Sequence, residues 1–378
     1  MKFNLIKIFI VYYFTLKYIR KIPSFISPKV IYLMTIIPLF LVFILSLKYF
    51  LNNKQKKITI YIYIHFIIIF LFSILKIDFN SIFNISQLFF VIYYIFNCKS
   101  CKIDVKFINN LFIISIILSF IGYYLKLGNY GITPFQGYKV ARSWRVSLFW
   151  GDVASTGAFA LLVFIKNYYL EKKNKFNLFI IILAFYFMIF SGSKTILISL
   201  IFIFLITIVK INFNKNLIYT LLPIVFIFII VITTIIIPQI SIINQTPMFK
   251  SFLNIQNNNF QYGRFWLWKN HLQIFKNNIL FGKGAFNIRE LYENPLAGSE
   301  SKLTYILARD GIFGIFFILF FLNLIFYSVK QKNIEAYILS SVLIFTMFFY
   351  GSYINGYNFI LIIYITSIWS ALNCDISY

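Results

Sequence analysis

Two polar segments interrupt an otherwise apolar sequence, and they hold most of the side chains that could do chemistry. The first, residues 126–150, carries Arg142 and Arg145 shortly before an apolar run, with Trp144 and Trp150 beside them. Guanidinium groups are planar and permanently charged, which suits them to bind a phosphate or pyrophosphate. The same pattern is typical of a membrane-interface belt, in which aromatic rings and arginines lie among lipid headgroups. The residue types alone leave both interpretations open.

The second segment, residues 238–302, is too long for a simple connection between elements. Its second half begins at Gly263-Arg264, where the pattern predicts an amphipathic helix lying on the membrane surface. Lys283 follows in the tight turn Phe281-Gly-Lys-Gly284. The predicted apolar stripe of the helix is Phe265, Trp268, Leu272 and Phe275, and its other face holds Lys269, Asn270, Gln273 and Lys276.

A further helix is predicted from Ser299, a good N-cap residue. Glu300 then stands in the first turn, where the helix dipole favours a carboxylate, so a capping role competes with a functional one. Arg309 and Asp310 are expected to pair with one another, and ionisable groups at such depth usually carry function. One face of this helix is predicted to hold Glu300, Leu303, Leu307, Gly311 and Gly314, with glycines where another helix approaches closely.

The two histidines are too isolated to predict a metal site. His65 falls within an apolar run, where we expect a hydrogen bond to another helix, and His271 is expected on the polar face of its surface helix. His271 is also a minor candidate for a catalytic base, since imidazole readily serves as one. Lys194 ends the short turn Ser191-Gly-Ser-Lys between two apolar runs. No metal and no other cofactor is predicted.

Composition fixes the class of protein that must position these groups. Hydrophobic residues make up 61% of the 378 residues, charged residues 12%, and the mean hydropathy is +0.84, which excludes a soluble globular protein. Apolar runs of roughly 16 to 25 residues recur, the length that crosses a bilayer as a helix, and the alternating strands of a barrel are not seen. The prediction is an all-α, polytopic integral membrane bundle, with residues 1–378 forming a single transmembrane domain.

The order of apolar runs and lysine clusters predicts the topology. Short connections hold five lysine clusters on one side of the membrane, which the positive-inside rule assigns to the cytoplasm. The arginine-rich loop 126–150 and the large loop 238–302 then face outward. The net charge of +25 follows this topology and does not indicate nucleic-acid binding, although the basic residues at 17–29 do not fit it. The predicted spans are 31–50, 58–75, 82–97, 106–125, 152–168, 177–191, 194–210, 217–237, 303–328, 335–350 and 357–372, which makes eleven, or twelve with a short first stretch at 4–18.

The motifs between residues 137 and 314 together resemble the core of the O-antigen polymerase (Wzy-type) and O-antigen ligase family. The likeness rests on Gly263-Arg264, on the helix with tryptophan and phenylalanine after it, and on the polar and glycine motifs that follow. Those motifs read Asn278-Ile-Leu-Phe-Gly-Lys-Gly284, Glu300-Ser-Lys-Leu303 and Asp310-Gly-Ile-Phe-Gly314. The Ser193-Lys194 turn resembles a Ser-Arg pair of the family, and the stretch ending Arg145-Val-Ser147 resembles its arginine-containing loop.

The resemblance implies a membrane-embedded glycosyltransferase that inverts its donor and uses no metal. The donor would be an undecaprenyl-pyrophosphate-linked oligosaccharide, and the acceptor a sugar hydroxyl of a second lipid-linked repeat unit. The enzyme would lie in the bacterial inner (cytoplasmic) membrane with its active site on the extracytoplasmic face. Its partners would be the lipid bilayer, a chain-length regulator and a flippase.

The resemblance also assigns roles to residues of the outward segments. Arg264 and Arg145 would neutralise the leaving pyrophosphate, a task that suits permanently charged donors. Glu300 would be the candidate base. Ligases of this family carry a histidine near that position, so Glu300 favours a polymerase and leaves the identity of the base open. The residues expected to contact the pyrophosphate are Arg142, Arg145, Arg264, Lys194 and Lys283.

Two other functions compete with a polymerase of O-antigen or capsule repeat units. An O-antigen ligase would transfer the polymer to a lipid A core. A flippase or other transporter of lipid-linked oligosaccharide would share the span count and the basic residues. The charged residues of this sequence gather in the outward loops rather than in the spans, which favours chemistry on a lipid-linked substrate over transport.

Overall fold

Helices form every regular element in the described part of the chain. The structure, a computed structural model, describes residues 7–8, 10–12, 14–15, 34, 53–75, 89–96, 103–124, 148, 153–170, 174–191, 193–209, 216–236, 264–284, 302–349 and 359–374. In chain order the helices are α1 (Asn53–Leu75), α2 (Val105–Tyr124), α3 (Val153–Tyr168), α4 (Lys175–Phe190), α5 (Lys194–Val209), α6 (Asn216–Ile236), α7 (Arg264–Asn277), α8 (Lys302–Asp310), α9 (Gly314–Lys330), α10 (Ile334–Phe349) and α11 (Phe359–Cys374). The all-α prediction is confirmed for these ranges.

Among the described residues, three helical segments are long and apolar enough to cross a membrane. They are Lys57–Ile74, Val105–Gly122 and Thr304–Lys330, with mean hydropathies of 2.1, 1.9 and 2.5. Five of the other described helices contain shorter apolar stretches, such as Lys175–Phe190 and Ile334–Phe348. Membrane-crossing helices are therefore supported by length and composition, while the count of eleven or twelve spans stays a prediction.

The helices α10 and α11 form the core of the described bundle. Every side chain from 336 to 347 and from 360 to 372 is buried, and α10 packs against α3, α5, α6, α8, α9 and α11. Helices that are apolar all round are buried inside a protein or span a membrane. Some of their buried hydroxyls donate to carbonyls four residues back in the same helix, as Ser340 and Thr366 do. The hydroxyls of Tyr337 and Tyr364 instead donate to carbonyls of other helices.

Contacts between distant helices bring together the helix ends that adjoin the predicted lysine clusters. Residues near these helix ends bond to one another across the bundle, so these ends share a side. These contacts join Asn109 to Asn167 (2.9 Å and 2.7 Å), Lys166 to Glu335, the Tyr337 hydroxyl to the carbonyl of Tyr219 (3.0 Å), and the Asn323 amide to the carbonyl of Lys57 (2.8 Å). The order of spans predicts this common side.

The opposite end gathers the start of α3, the turn between α4 and α5, the helix α7 and the end of α10. A Cβ atom at Gly157 of α3 would lie 2.6 Å from the Ser191 hydroxyl, so the α4–α5 turn closely approaches this helix. Leu148, just before α3, donates its backbone N–H to Thr156 over 2.9 Å. The ring of Trp268 in α7 lies 5.1 Å from that of Phe348 in α10. The two polar segments of the sequence thus adjoin the same end.

One predicted span is not a single helix. Residues 303–328 were expected to form a continuous helix, but α8 ends at Asp310 and a 3-10 turn, Gly311–Phe313, leads into α9. Gly311 has a φ of +64°, a left-handed conformation in which a side chain is strained. The predicted face with Leu307, Gly311 and Gly314 is therefore wrong, because the break turns the two parts relative to each other. Gly314 instead lies against Ile306, in the preceding helix.

Candidate functional site

Helix α7 begins at Arg264, as the sequence predicts, and packs along α8. Its buried face carries Trp268 and His271, three residues apart, against α8 and the end of α10. Leu272, predicted for the apolar stripe, is 49% exposed, so the buried face is rotated from the predicted one. The reason is that this short helix packs against other helices rather than against lipid, and the shape of those helices determines which face is buried.

His271 is fully buried rather than on a polar face, so that prediction is wrong. Its Nδ1 lies 2.8 Å from the hydroxyl of Thr304 in α8, and its ring lies 5.8 Å from that of Tyr305. The polar contact satisfies one ring nitrogen inside the α7–α8 interface. His271 therefore links α7 to α8, and its burial follows from the packing of these two helices.

A turn at residues 278–284 joins α7 to the break between α8 and α9. Its backbone donates to the last carbonyls of α8: Lys283 N–H to Ala308 and Gly284 N–H to Arg309, each at 2.9 Å. In return, the N–H of Ile312 donates to the carbonyl of Ile279 over 2.7 Å. Carbonyls at a helix C-terminus have no partner within the helix, so this turn supplies the hydrogen bonds that the break removes.

The two glycines Gly282 and Gly311 permit this contact between backbones. Both have a φ of +64°. A Cβ atom at Gly282 would lie 2.1 Å from the carbonyl oxygen of Arg309, and one at Gly311 would lie 2.5 Å from that of Leu280. The glycine turn that the sequence offers only as a turn is therefore a docking element, and we call residues 278–284 the docking turn.

Three ionisable side chains meet beside this break and are buried together. The guanidinium of Arg309 donates from Nε and NH2 to both oxygens of Asp310, each over 2.6 Å. Nε2 of His65 in α1 lies 2.9 Å from Asp310 Oδ2. The side chains are 6%, 1% and 2% exposed, respectively for Arg309, Asp310 and His65. The pairing expected between Arg309 and Asp310 is confirmed, as is the interhelical bond expected of His65.

The hydrogen-bonding roles in this cluster follow from its chemistry. A carboxylate paired with a guanidinium accepts only, so His65 donates from Nε2. Tyr305 adds a ring 6.0 Å from the Arg309 guanidinium, and Phe317 lies 5.6 Å from the imidazole. His65 stands about 12 Å along the axis of α1 from Lys57, at roughly 1.5 Å per residue. The cluster therefore lies deep within an apolar helix, where an unpaired charge would be very costly.

The predicted pyrophosphate-binding residues are described to different extents. Lys283 is exposed in the docking turn, which is bonded to α8 through its backbone. Arg264 and Lys194 begin α7 and α5, and their side chains lie outside the description. Arg142, Arg145 and Glu300 lie outside the described residues, as do the loop 126–150 except for Leu148 and most of the loop 238–302. The helices α5 and α7 begin at the end of the bundle where the docking turn is exposed.

Sequence reasoning missed that Asp310 has a partner in α1 and that His271 is buried. The available signal was a histidine in one apolar run and an aspartate in another, since such groups rarely stay unpaired in a membrane. Within the described residues, no group of three histidine, cysteine, aspartate or glutamate side chains is arranged to hold a metal ion.

Comparison with known proteins adds no relative to this site. Models of known protein families give no match to the chain, and neither do the sequences of curated proteins. The function is therefore inferred from the residues and their geometry.

Proposed function

We propose that this protein is a polysaccharide polymerase of the membrane, acting on O-antigen or capsule repeat units. It transfers an undecaprenyl-pyrophosphate-linked glycan to a sugar hydroxyl of a second lipid-linked unit. In the proposed topology eleven or twelve spans cross the bacterial inner membrane, and the lysine clusters lie in the cytoplasm. The arginine-rich loop 126–150 and the large loop 238–302 face the other side, where the transfer takes place.

One observation carries the proposal most directly. The start of α7 at Arg264, the start of α5 at Lys194 and the docking turn with Lys283 lie at one end of the bundle, the end opposite the lysine clusters. Leu148, three residues after Arg145, is bonded to the start of α3 at that same end. Segments that are far apart in sequence and that carry cations thus lie at the end where, in the proposed topology, a lipid-linked anion would reach them from the outer leaflet. Such gathering supports binding of a substrate with more than one negative charge.

The proposed reaction is a substitution at the anomeric carbon of the donor. The acceptor hydroxyl oxygen forms the new glycosidic bond on one face, while the bond to the pyrophosphate oxygen breaks on the other, so the configuration inverts. The pyrophosphate leaves with the electron pair, and the hydroxyl proton passes to a base, for which Glu300 is the candidate. Arg264, Arg145 and Arg142 stabilise the charge that develops on the leaving group, with Lys194 and Lys283 as further contacts.

Arg264→Lys is expected to reduce polymer formation nearly as much as Arg264→Ala. A lysine keeps the charge but loses the two parallel hydrogen bonds that a guanidinium makes to a phosphate. The measurement is a glycan gel from a strain that lacks the protein and is complemented with each variant, at equal protein levels. Lys269→Ala and Lys276→Ala are matched controls, because both side chains are exposed on the same helix; they should leave the ladder intact. A normal ladder with Arg264→Lys would contradict bidentate binding.

Glu300→Gln tests the base. If Glu300 accepts the acceptor's proton, the amide cannot replace it, and chain growth should fall by about 100-fold or more, as for loss of a general base. If Glu300 caps α8, the amide largely preserves the hydrogen bonding, and output should stay near that of the wild type. The initial rate of chain growth in isolated membranes separates the two results. A rate within a few-fold of the wild type would remove Glu300 from the catalytic role.

A lipid-linked oligosaccharide flippase is the second candidate, and one observation favours it. Arg309, Asp310 and His65 are ionisable groups within apolar helices, whereas the sequence analysis placed such groups mainly in the loops. Charges inside spans often mark a transport path. These three are paired to one another and almost fully buried, however, which suits a structural joint better than the lining of an open path.

A single experiment separates the candidates. A glycan gel of the deletion strain should show one repeat unit on its usual acceptor and no ladder if the protein is a polymerase. Polymer that accumulates on the lipid carrier would identify a ligase, and single units retained on the cytoplasmic leaflet would identify a flippase. An unchanged ladder would exclude all three roles in that glycan. Complementation with the wild-type gene must restore the ladder for any of these results to count.

A further inference from the structure

A continuous set of contacts connects the outward polar segment to helix α1. The docking turn is bonded to the last carbonyls of α8. The next residue of that helix, Asp310, is bonded to His65 of α1. Helix α7, which begins at Arg264, packs along the same α8 and contacts it through His271. Helix α8 therefore holds both the docking turn, which carries Lys283, and α7, which begins at Arg264.

The position of Asp310 at the helix break couples the position of its carboxylate to that of the docking turn. Ala308 and Arg309, whose carbonyls accept from the turn, directly precede it, and Ile312, which donates to the turn, follows two residues later. A shift of Asp310 would thus move all three backbone hydrogen bonds. Because Gly311 has a left-handed backbone, local helix geometry does not hold this stretch, and the contact to α1 restrains it in addition to the hydrogen bonds from the docking turn.

A second contact between α1 and the docking turn lies beyond the first. Phe72, two turns of helix after His65, stacks on Phe281, with ring centroids 3.9 Å apart and planes 5° from parallel. The turn therefore contacts α1 directly through the Phe281 side chain, and indirectly through Asp310. If the charged cluster holds the break against α1, the Phe72–Phe281 stack reports whether the turn is docked.

We propose that His65, Arg309 and Asp310 are positioning residues that dock the 278–284 turn on α1 and hold α8, the helix against which α7 packs. Arg309 neutralises the carboxylate, and the carboxylate accepts the hydrogen bond from α1. The docked turn presents Lys283, and α8 supports α7 and with it Arg264. That these cations bind a pyrophosphate rests on the proposed function; the docking itself is a statement about the fold.

The test compares His65→Leu with His65→Gln. Leucine cannot donate to Asp310, whereas the glutamine amide can, and both have volumes near that of histidine. Phe72 and Phe281 are changed to cysteine, with Cys98, Cys101 and Cys374 replaced by serine, and a short bis-maleimide bridges the pair in membranes. The rate of bridging should fall several-fold with His65→Leu and stay within about two-fold with His65→Gln, since one donor replaces another.

A second pair tests whether the effect is local. Phe164 of α3 and Phe185 of α4, both accessible, lie 6.4 Å apart between ring centroids, away from α1. Cysteines there should be bridged equally in both His65 variants. A fall at both pairs would mean general unfolding and would overturn the positioning role. Equal bridging of Phe72→Cys and Phe281→Cys in the leucine and glutamine variants would overturn it as well.

The glycan ladder separates this inference from the proposed function. With the native phenylalanines and cysteines restored, His65→Leu should shorten the ladder and His65→Gln should keep it, if docking positions the catalytic cations. Loss of bridging with no effect of Arg264→Ala on any glycan would keep the docking and reject the polymerase. Loss of the ladder with Arg264→Ala, together with unchanged bridging, would keep the polymerase and reject the docking.

Discussion

Asp310→Asn is expected to destabilise the protein more than any other conservative substitution of a described residue. The asparagine has the same shape and still accepts from His65, but it leaves the Arg309 guanidinium buried without a counter-charge. Removal of one partner of a buried ion pair typically costs about 3–5 kcal/mol. Most native proteins have only about 5–15 kcal/mol of stability, so the folded fraction in the membrane should fall sharply. The measurement is protein level in membranes together with thermal unfolding in detergent.

The sequence offers a matched control for this substitution. Asp104 also pairs with a basic residue, Lys7, at 2.9 Å, but the two side chains are 60% and 29% exposed. Exposed ion pairs contribute about 0–1 kcal/mol. Asp104 also accepts the N–H of Phe107 at the start of α2, a cap that asparagine preserves. Asp104→Asn should therefore leave stability nearly unchanged.

A double variant shows whether the cost comes from the charge. Arg309→Met combined with Asp310→Asn removes both charges, keeps an acceptor for His65 and fills much of the arginine's volume. Apolar replacement of a buried ion pair is often neutral in its effect on stability. The double variant should regain most of the stability lost in Asp310→Asn. If Asp310→Asn is as stable as the wild type, the charge of Asp310 does not contribute to the stability of the protein.

The bounds of most helices follow from the sequence because the bilayer imposes a length on apolar runs. The run predicted at 177–191 is α4, Lys175–Phe190, and that at 335–350 is α10, Ile334–Phe349. The break at Gly311 was beyond this reasoning. Hydropathy does not distinguish one helix of 27 residues from two helices with a turn between them, and Thr304–Lys330 meets the criteria for a crossing segment throughout. What determines the break is the docking turn, which supplies hydrogen bonds from a remote part of the chain.

The sequence predicts the candidate site only at the level of topology, that is, which segments lie at the same end of the bundle. Counting spans places Arg264, Lys194 and Lys283 at one end, because each connection between spans changes sides. The contact of His65 with Asp310 required knowledge of which helices are neighbours, and the two residues are 245 positions apart. His271 was assigned to the wrong face for the same reason, since the periodicity of α7 does not reveal that α8 covers it. Loop-borne cations can be found by pattern, whereas the joints that hold them depend on packing.

Gly282→Ala is expected to abolish docking of the 278–284 turn and with it most of the polymer. The backbone at this position is left-handed, which costs a residue with a side chain about 1–2 kcal/mol. The added carbon would lie 2.1 Å from the carbonyl oxygen of Arg309 and 2.5 Å from the backbone nitrogen of Gly311. Backbone atoms cannot rotate away as side chains do, so the turn must separate from α8.

Separation of the turn would break the hydrogen bonds from Lys283 to Ala308 and from Gly284 to Arg309. Each buried carbonyl left without a partner costs about 1–3 kcal/mol. These lost hydrogen bonds oppose separation, but the added carbon, 2.1 Å from a backbone oxygen, leaves no docked arrangement of the turn. The expected result is loss of bridging between cysteines at positions 72 and 281, and a glycan ladder reduced to short products.

Gly157→Ala is the matched control for a glycine in close contact. There the nearest atoms belong to the side chains of Ser191 and Ile196, at 2.6 Å and 2.8 Å. Gly157 lies within α3, where alanine favours the helix by about 1 kcal/mol, and its close contacts are to side chains rather than to backbone. Its effect should be small beside that of Gly282→Ala. If both variants behave alike, tight packing alone explains them. If only Gly282→Ala fails, the cause is the backbone contact between the turn and the break, which is the contact that holds Lys283 at the end of the bundle where the proposed substrate would bind.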